Sequence, residues 1–182
     1  MFLKIKQEFL AFIESFLRYL PTSGLGVRLR RWYMHCRLHE GARNIVLHHS
    51  VSINSYDNLN IGDDVSVNSG VVIDSSFGQI SIGHRVHIGP NTVIRAADHN
   101  FDLLDQSIRS QGYKGGQIDI GDDVWIGANV TILKDVKIGD KTIIGAGSVV
   151  TNNIQTGVVA VGVPAREIKM RSHQTKDALC QS

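Results

Sequence analysis

Aliphatic residues recur every six positions along most of this chain. They fall in two blocks, at Ile61, Val67, Ile73, Ile82, Ile88 and Ile94, and then at Ile120, Ile126, Ile132, Ile138, Ile144 and Val150. A six-residue period fits neither the 3.6-residue turn of an α-helix nor a β-hairpin meander, and it is typical of parallel β-helices. We therefore expect an all-β fold in which three six-residue faces close one coil of about 18 residues, with coils stacked about 4.8 Å apart.

Glycine follows the repeated aliphatic residue at most of these positions. The glycines are Gly62, Gly83, Gly89, Gly121, Gly127, Gly139 and Gly145. We expect the chain to turn a corner at each of them, with a positive φ, because glycine adopts that conformation at the least cost. The recurrence of this second feature strengthens the prediction of a repeat protein.

Two breaks in the repeat point to a working surface. Nine residues separate Ile73 from Ile82, and 26 separate Ile94 from Ile120. If Ile61 begins a coil, both insertions follow a third face and emerge at the same corner. Insertions that cluster on one side of a repeat protein usually mark its binding face. We therefore predict that the longer one, at about residues 97–116, is an ordered excursion that forms part of a site.

Length and composition favour one domain with terminal additions. We assign residues 1–40 to an amphipathic helix and a basic helical lead-in, 41–163 to the β-helix, and 164–182 to a short cap and a mobile tail. The charge is nearly balanced, with 19 Lys+Arg against 17 Asp+Glu, and we expect no nucleic-acid partner. The two cysteines, Cys36 and Cys180, lie far apart, which favours a reducing, cytoplasmic compartment.

The first twenty residues are apolar but interrupted by charges, so we expect neither a secretory signal nor a membrane-spanning helix. At helical spacing one face contains Phe2, Ile5, Phe9, Phe12, Ile13, Phe16 and Leu20, and Pro21 ends the pattern. Two interpretations stay open. The helix packs on its own β-helix or on a neighbouring subunit, or, helped by the arginines at 28–37, it makes a peripheral contact with a membrane.

His99 is the residue best placed for chemistry. It lies between Asp98 and Asn100 at the start of the large insertion, where the backbone leaves the repeat. An imidazole exchanges protons near neutral pH and can act as a general base. The aspartate pairs at 63–64 and 122–123 both occupy the corner of an IGDDV repeat, where aspartate favours turns, so we predict a structural role for them.

Two segments are more distinctive of a protein family than the six-residue repeat itself. They are DDVWIGANVTILKDVKIGDKTIIGAGSVVTNNI at 122–154 and GVPAREIK at 162–169. With them the chain resembles the hexapeptide-repeat acyltransferases, in the branch of maltose, galactoside and Nod-factor O-acetyltransferases and related polysaccharide O-acetyltransferases. The resemblance covers roughly residues 61–169. It implies a left-handed coil, which is an exception to the usual right-handed crossover. It also implies acetyl-CoA as cosubstrate and a homotrimer with an active site in each cleft between subunits.

The resemblance further implies roles for single residues. His99, in AADHNFD, is similar to the family's catalytic base, and Asn68, in VSVNSGVV, is similar to an asparagine that lines the reaction centre from a neighbouring subunit. The positions similar to those along the coenzyme's pantetheine arm are Trp125, Ala128, Ala146 and Thr151, and those near its phosphates are Arg166 and Lys169. Asn152 stands where many relatives carry lysine, which removes one phosphate contact.

The resemblance, together with the amphipathic first helix, implies an O-acetyltransferase that moves acetyl from acetyl-CoA to a hydroxyl of a sugar or glycan precursor in surface polysaccharide biosynthesis. We expect no metal, and a location in the cytoplasm or at the inner face of the cell membrane. Two alternatives stay open. One is a zinc enzyme similar to the γ-carbonic anhydrases, with His84, His87 and His99 as candidate ligands. The other is a non-catalytic β-helix binding module.

Overall fold

The computed structural model describes residues 2–38 and 42–171, and in the first helix it describes the side chains from residue 9 onward, except residue 11. Of the predicted cap and mobile tail at 164–182, residues 172–182, which include Cys180, lie outside the described residues, as do the side chains of Phe2 and Ile5. No described helix is both long enough and apolar enough to cross a membrane.

Two helices precede a long series of short strands. The helices are α1 (Phe2–Tyr19) and α2 (Gly24–Arg37). The strands are β1 (Val46–Leu47), β2 (Ser52–Asn54), β3 (Leu59–Ile61), β4 (Ser66–Val67), β5 (Val72–Asp74), β6 (Gln79–Ile82), β7 (His87–Ile88), β8 (Val93–Arg95), β9 (Ala97–His99), β10 (Tyr113–Gly115), β11 (Gln117–Ile120), β12 (Trp125–Ile126), β13 (Thr131–Ile132), β14 (Val136–Ile138), β15 (Ile143–Ile144), β16 (Val149–Val150), β17 (Val158–Val161) and β18 (Arg166–Met170).

The strands form three parallel sheets that the chain visits in rotation. Sheet A has the order β1-β4-β7-β12-β15-β17 and ends in the antiparallel strand β18. Sheet B has the order β2-β5-β8-β13-β16, and sheet C has the order β3-β6-β11-β14. Strands β9 and β10 form a separate antiparallel pair. The chain is therefore a three-sided parallel β-helix, and the prediction of an all-β fold of this kind is confirmed.

The repeated aliphatic residues form the interior of the β-helix. In sheet C, Ile61 is in register with Ile82, Ile82 with Ile120, and Ile120 with Ile138. All four side chains are buried, and the same holds for the repeated positions of the other two sheets. Burial of a branched aliphatic side chain contributes about 1.5–3 kcal/mol, so these stacked rows supply most of the stabilising apolar contact.

The glycines that follow these aliphatic residues do not have the positive φ that we predicted from the sequence. Positive φ occurs two residues later, for example at Asp64 with φ 60°. The glycines serve close stacking instead: a Cβ on Gly62 would lie 2.8 Å from the carbonyl carbon of Gly83, and one on Gly127 would lie 2.6 Å from the amide nitrogen of Ala146. A side chain at these corners would therefore push neighbouring coils apart.

The aspartates at the corner between sheets C and A bind backbone amides of adjacent coils. Asp63 Oδ1 accepts from Arg43 N at 2.7 Å, Asp122 Oδ1 accepts from His84 N at 2.8 Å, and Asp140 Oδ1 accepts from Asp122 N at 2.8 Å. The amide of Arg43 holds the pKa of the Asp63 carboxyl below its ordinary value. Asp63 and Asp122, the first members of the two predicted pairs, therefore have the structural role that we predicted.

A buried arginine ties both helices to the first coil. The guanidinium of Arg30 donates to the carbonyl oxygens of Leu47 at 2.9 Å, Leu17 at 3.1 Å, Leu20 at 2.8 Å and Pro21 at 3.2 Å. Leu47 belongs to β1, Leu17 lies in the last turn of α1, and Leu20 and Pro21 follow that helix. Burial lowers the pKa of Arg30, and its hydrogen bonds to carbonyl oxygens offset part of the cost of removing the charge from water.

Among the described side chains of the predicted apolar face of α1, only Ile13 and Leu20 pack on the rest of the protein. Leu10 and Leu17, outside that face, pack there as well. Phe9, Phe12, Phe16 and Tyr19 are 62–75% exposed. Phe9, Phe12 and Phe16 therefore do not pack on the β-helix of their own protomer, and contact with a neighbouring subunit or with a membrane stays open for them. The apolar side of α1 is wider than the surface of the first coil against which the helix packs.

Candidate functional site

The large insertion is an ordered excursion at the corner between sheets B and C. It leaves after β8, returns to β11, and begins and ends with the β9–β10 hairpin. Gln111 holds its interior together: its Nε2 donates to Leu103 O at 2.9 Å, and its Oε1 accepts from Leu103 N at 3.0 Å. Asn100 Nδ2 also donates to Gln111 O at 2.9 Å. The shorter insertion, between β5 and β6, emerges at the same corner, as the sequence predicted.

His99 is the last residue of β9, and its side chain is exposed. Its imidazole lies against the ring of Tyr113, with 4.2 Å between the ring centroids. The adjacent carboxylate of Asp98 lies 3.8 Å from Lys134 Nζ, and Asp102 is exposed. Lys134 also contacts Asp135 at 2.8 Å, and this hydrogen bond raises the pKa of Lys134. The structure therefore engages Asp98 with a lysine rather than with the imidazole.

The outer face of sheet A bears a column of side chains in register. Ser66 pairs with His87, His87 with Trp125, and Trp125 with Ile143. Trp125 is 57% exposed. Asn68 lies at the end of this face, just after β4, and its Oδ1 accepts from Ser69 N at 2.8 Å.

An open groove of about 500 Å³ runs along this part of sheet A, and both Asn68 and Trp125 line it. The corner between sheets A and B continues it with small residues, among them Ala128 and Ala146, which follow β12 and β15. These two residues stack directly, since Gly147 N donates to Ala128 O at 2.9 Å. The structure thus brings four of the predicted site residues to one edge of the β-helix.

Lys169 continues the same outer face at the end of sheet A. It pairs with Val159, which pairs with Ile143, the neighbour of Trp125. Three strand spacings separate β12 from β18, so Lys169 lies about 14 Å from Trp125 along the sheet. Arg166 is exposed on the same strand, and its Nη1 donates to Ala165 O at 2.9 Å.

Two predicted site residues lie at a different corner. Thr151 follows β16 and is exposed at the corner between sheets B and C. His99 is at that corner too, whereas Asn68 and the groove belong to the opposite edge of sheet B. One protomer therefore does not bring His99 and Asn68 together.

The three histidines of the zinc alternative are also separated. His84 lies at the corner between sheets C and A, where its Nδ1 accepts from Asp63 N at 2.9 Å. His87 lies on the outer face of sheet A, and His99 lies on the excursion. Within residues 2–38 and 42–171, no group of three or more His, Cys, Asp or Glu side chains is arranged to hold a metal ion.

Two side chains beside His99 were not predicted from the sequence to belong to the site. Tyr113 contacts its imidazole, and Phe77 stacks on the other side of Tyr113 with centroids 4.2 Å apart. Both residues lie in the two insertions, outside the six-residue frame. The only sequence signal was an aromatic residue in each of two insertions that were predicted to share a corner.

Residues 118–152 match the family model described as bacterial transferase hexapeptide (six repeats). The galactoside O-acetyltransferase of Escherichia coli K12 is 38% identical over 113 residues, which are 62% of this chain and 54% of that enzyme. The chain thus spans about half the length of this relative.

Two solved structures resemble the whole β-helix. A maltose O-acetyltransferase from Clostridium difficile 630 superposes with a TM-score of 0.78 at 28% identity, over 91% of this chain and 86% of that one. A hexapeptide-repeat acetyltransferase of Vibrio cholerae O1 biovar eltor, in complex with acetyl coenzyme A, gives 0.76 at 27% identity, over 91% and 88%. The family match and these relatives confirm the resemblance to the hexapeptide-repeat acetyltransferases that was inferred from the sequence.

Proposed function

We propose that this protein transfers an acetyl group from acetyl-CoA to a hydroxyl of a sugar or glycan precursor, with His99 as the general base. The observation that carries the proposal is an exposed imidazole held by an ordered hairpin at the root of the one large excursion in the repeat. The relatives named for galactoside and maltose O-acetylation support the reaction class. The left-handed sense of the coil, which the family resemblance implies, belongs to the same proposal.

The reaction needs no covalent enzyme intermediate. His99 takes the proton of the acceptor hydroxyl as the hydroxyl oxygen attacks the thioester carbonyl carbon. The carbon–sulfur bond then breaks, and the proton passes from His99 to the coenzyme A thiolate. The products are the O-acetyl ester and free coenzyme A. A backbone N–H of the repeat wall would stabilise the oxyanion, a contribution often as large as that of the base.

The outer face of sheet A suits the coenzyme. Trp125, Ala128 and Ala146 are the candidates for the pantetheine arm on this side, and Arg166 and Lys169 are the candidates for the phosphates. Thr151, at the corner between sheets B and C, stays a candidate for the pantetheine arm from the family resemblance alone. The proposal is supported by the column that leads from the exposed ring of Trp125 to the cation of Lys169. The open groove of about 500 Å³ beside Trp125 leaves room for an extended chain along the coils.

We further propose a homotrimer with its sites between subunits. His99 and Asn68 lie at different edges of sheet B, so a shared reaction centre requires His99 of one copy and Asn68 of the next. The acetyl-CoA complex of the Vibrio cholerae relative supports the donor but does not bear on this arrangement.

We also propose that the acceptor is a precursor of a surface polysaccharide, modified at the cytoplasmic face of the cell membrane. The support is the row of exposed aromatic side chains on α1, named here the aromatic stripe: Phe9, Phe12, Phe16 and Tyr19. Such a row is suited to partial insertion between lipid headgroups.

A thiol-release assay with acetyl-CoA over a panel of sugars and nucleotide sugars tests the reaction. We expect the wild-type protein to release coenzyme A only with an acceptor present, and His99→Ala to fold normally and turn over about a thousandfold more slowly. His35→Ala, an exposed histidine on α2, is the matched control and should keep wild-type turnover. Unchanged turnover in His99→Ala would remove this residue from the mechanism, and the lack of any acceptor-dependent release would overturn the reaction itself.

A further inference from the structure

Three rings form a continuous stack at the root of the excursion. The centroids of His99 and Tyr113 lie 4.2 Å apart with 35° between the ring planes. Those of Tyr113 and Phe77 are also 4.2 Å apart, with nearly parallel planes at 11°. Tyr113 therefore lies between the imidazole and Phe77. At this spacing, aromatic rings attract one another beyond the effect of their apolar area.

The backbone of the two insertions determines the order of the rings. Asn100 N donates across the hairpin at 3.0 Å, so the next pair, His99 and Tyr113, is a non-hydrogen-bonded pair, in which side chains come closest. Phe77 lies on the shorter insertion at the same corner. A Cβ on Gly115 would overlap the carbonyl oxygen of Phe77, so the two insertions touch backbone to backbone.

No other group in the described part of the chain orients the imidazole. Among residues 2–38 and 42–171, no side chain makes a hydrogen bond to the ring nitrogens of His99. Asp98 pairs with Lys134, and Asp102 is exposed. We propose that Tyr113 is the positioning residue for His99, with Phe77 supporting it from the other side. This inference rests on the proposed function, because it takes His99 to be the base.

Stacking is compatible with proton transfer. The ring nitrogens of an imidazole lie in the plane of the ring, so contact on its face leaves both of them free to exchange a proton. At the same time the contact restricts rotation of the ring. A displacement of the base by about 1 Å can slow a reaction about a hundredfold, so a group that removes this freedom affects kcat.

Two substitutions distinguish the contribution of the Tyr113 ring from that of the Tyr113 hydroxyl. Tyr113→Leu keeps an apolar side chain but removes the ring, whereas Tyr113→Phe keeps the ring. We expect Tyr113→Leu to lower kcat about ten- to hundredfold with an unchanged KM for acetyl-CoA. Tyr113→Phe should stay within about twofold of wild type. Leu104→Ala, at a fully exposed position of the same excursion, controls for general loosening of the segment.

An NMR measurement reports the stack directly. In protein labelled with ¹³C at the histidine ε1 carbon, the His99 resonance is assigned by its loss in His99→Gln. The ring current of Tyr113 should displace this resonance upfield, so it should move in Tyr113→Leu and stay in place in Tyr113→Phe.

An unchanged kcat in Tyr113→Leu would overturn the inference. Equal losses in Tyr113→Leu and Tyr113→Phe would also overturn it, since the hydroxyl rather than the ring would then matter. Failure of the proposed function gives a different result. In that case the wild-type protein would transfer no acetyl group, or His99→Ala would be as active as the wild type. The position of the His99 resonance would still show in that case whether the stack exists.

Discussion

At the scale of single residues, the repeated glycines allow the coils to stack closely. Gly62 is the clearest example, because a Cβ there would lie 2.8 Å from both the carbonyl carbon and the oxygen of Gly83, and 2.9 Å from His84 N. All three atoms are backbone, so no flexible side chain can move aside. From the sequence we attributed these glycines to a positive φ, which is wrong. A single sequence does not distinguish a glycine required for positive φ from a glycine required for close stacking of coils.

We expect Gly62→Ala to lower the free energy of unfolding by about 1–3 kcal/mol, because the added methyl group forces two coils apart. Gly24→Ala is the matched control: it lies in α2, nothing is within 4 Å of the new methyl group, and alanine favours a helix. Urea denaturation of both variants measures the difference. Equal stabilities would show that the coils can relax and that close stacking does not select glycine at this corner.

The candidate site could be predicted from the sequence only where a residue lies in a recognisable pattern. His99 and Asn68 lie in segments similar to family motifs, and Trp125 lies in the repeat frame. Tyr113 could not be predicted, because its contact with His99 depends on the pairing of β9 with β10. The partner of Asp98 is Lys134, which lies on another coil, and the sequence suggests no link between them.

At the scale of elements, the arginines of α2 have a different role from the one that their sequence pattern suggests. The arginines at 28–37 suggested a cationic surface. In the structure Arg30 is buried, Arg31 Nε donates to Ile45 O at 2.9 Å, and the guanidinium of Arg37 lies 4.6 Å from the ring centre of Tyr56. Arg28 alone among these four is exposed. The cluster therefore serves mainly to dock α2, and the sequence could not reveal this because docking depends on the first coil.

Membrane contact through the aromatic stripe should accordingly depend on apolar burial more than on charge. We expect the protein to float with phosphatidylcholine vesicles. The bound fraction should rise little when the anionic lipid phosphatidylglycerol is added to them. The double variant Phe12→Ser, Phe16→Ser should bind at least about tenfold more weakly, because each phenylalanine contributes up to a few kcal/mol on burial.

Phe101→Ser is the matched control for this experiment, since Phe101 is an exposed aromatic residue on the excursion, outside the stripe. It should bind vesicles as the wild-type protein does. Wild-type protein that stays unbound with both vesicle types would contradict membrane docking and favour the other interpretation, in which the stripe packs on a neighbouring subunit.

At the scale of the whole molecule, the rotation of the chain through three sheets decides which residues can meet. Counting residues between repeated aliphatic positions was enough to predict that both insertions share one corner, because every coil has the same three faces. The same geometry places Asn68 at the other edge of sheet B from His99. The sequence of a single chain does not show which of its parts would meet between copies, and we infer the subunit arrangement from the positions of His99 and Asn68 alone.

Mixing two inactive variants tests that arrangement. His99→Ala and Asn68→Ala should each be nearly inactive alone, yet subunits mixed at random in equal amounts would pair an intact His99 with an intact Asn68 at about one interface in four. Purification through both tags leaves only mixed trimers, in which one interface in three is intact. We therefore expect co-expressed, differently tagged chains to recover about a third of wild-type activity after this purification. The control is His99→Ala mixed with the double variant His99→Ala, Asn68→Ala, in which no interface is intact and no activity should return. Mixed oligomers without recovered activity would mean that each site is built within one chain, and a monomeric protein would contradict the shared site altogether.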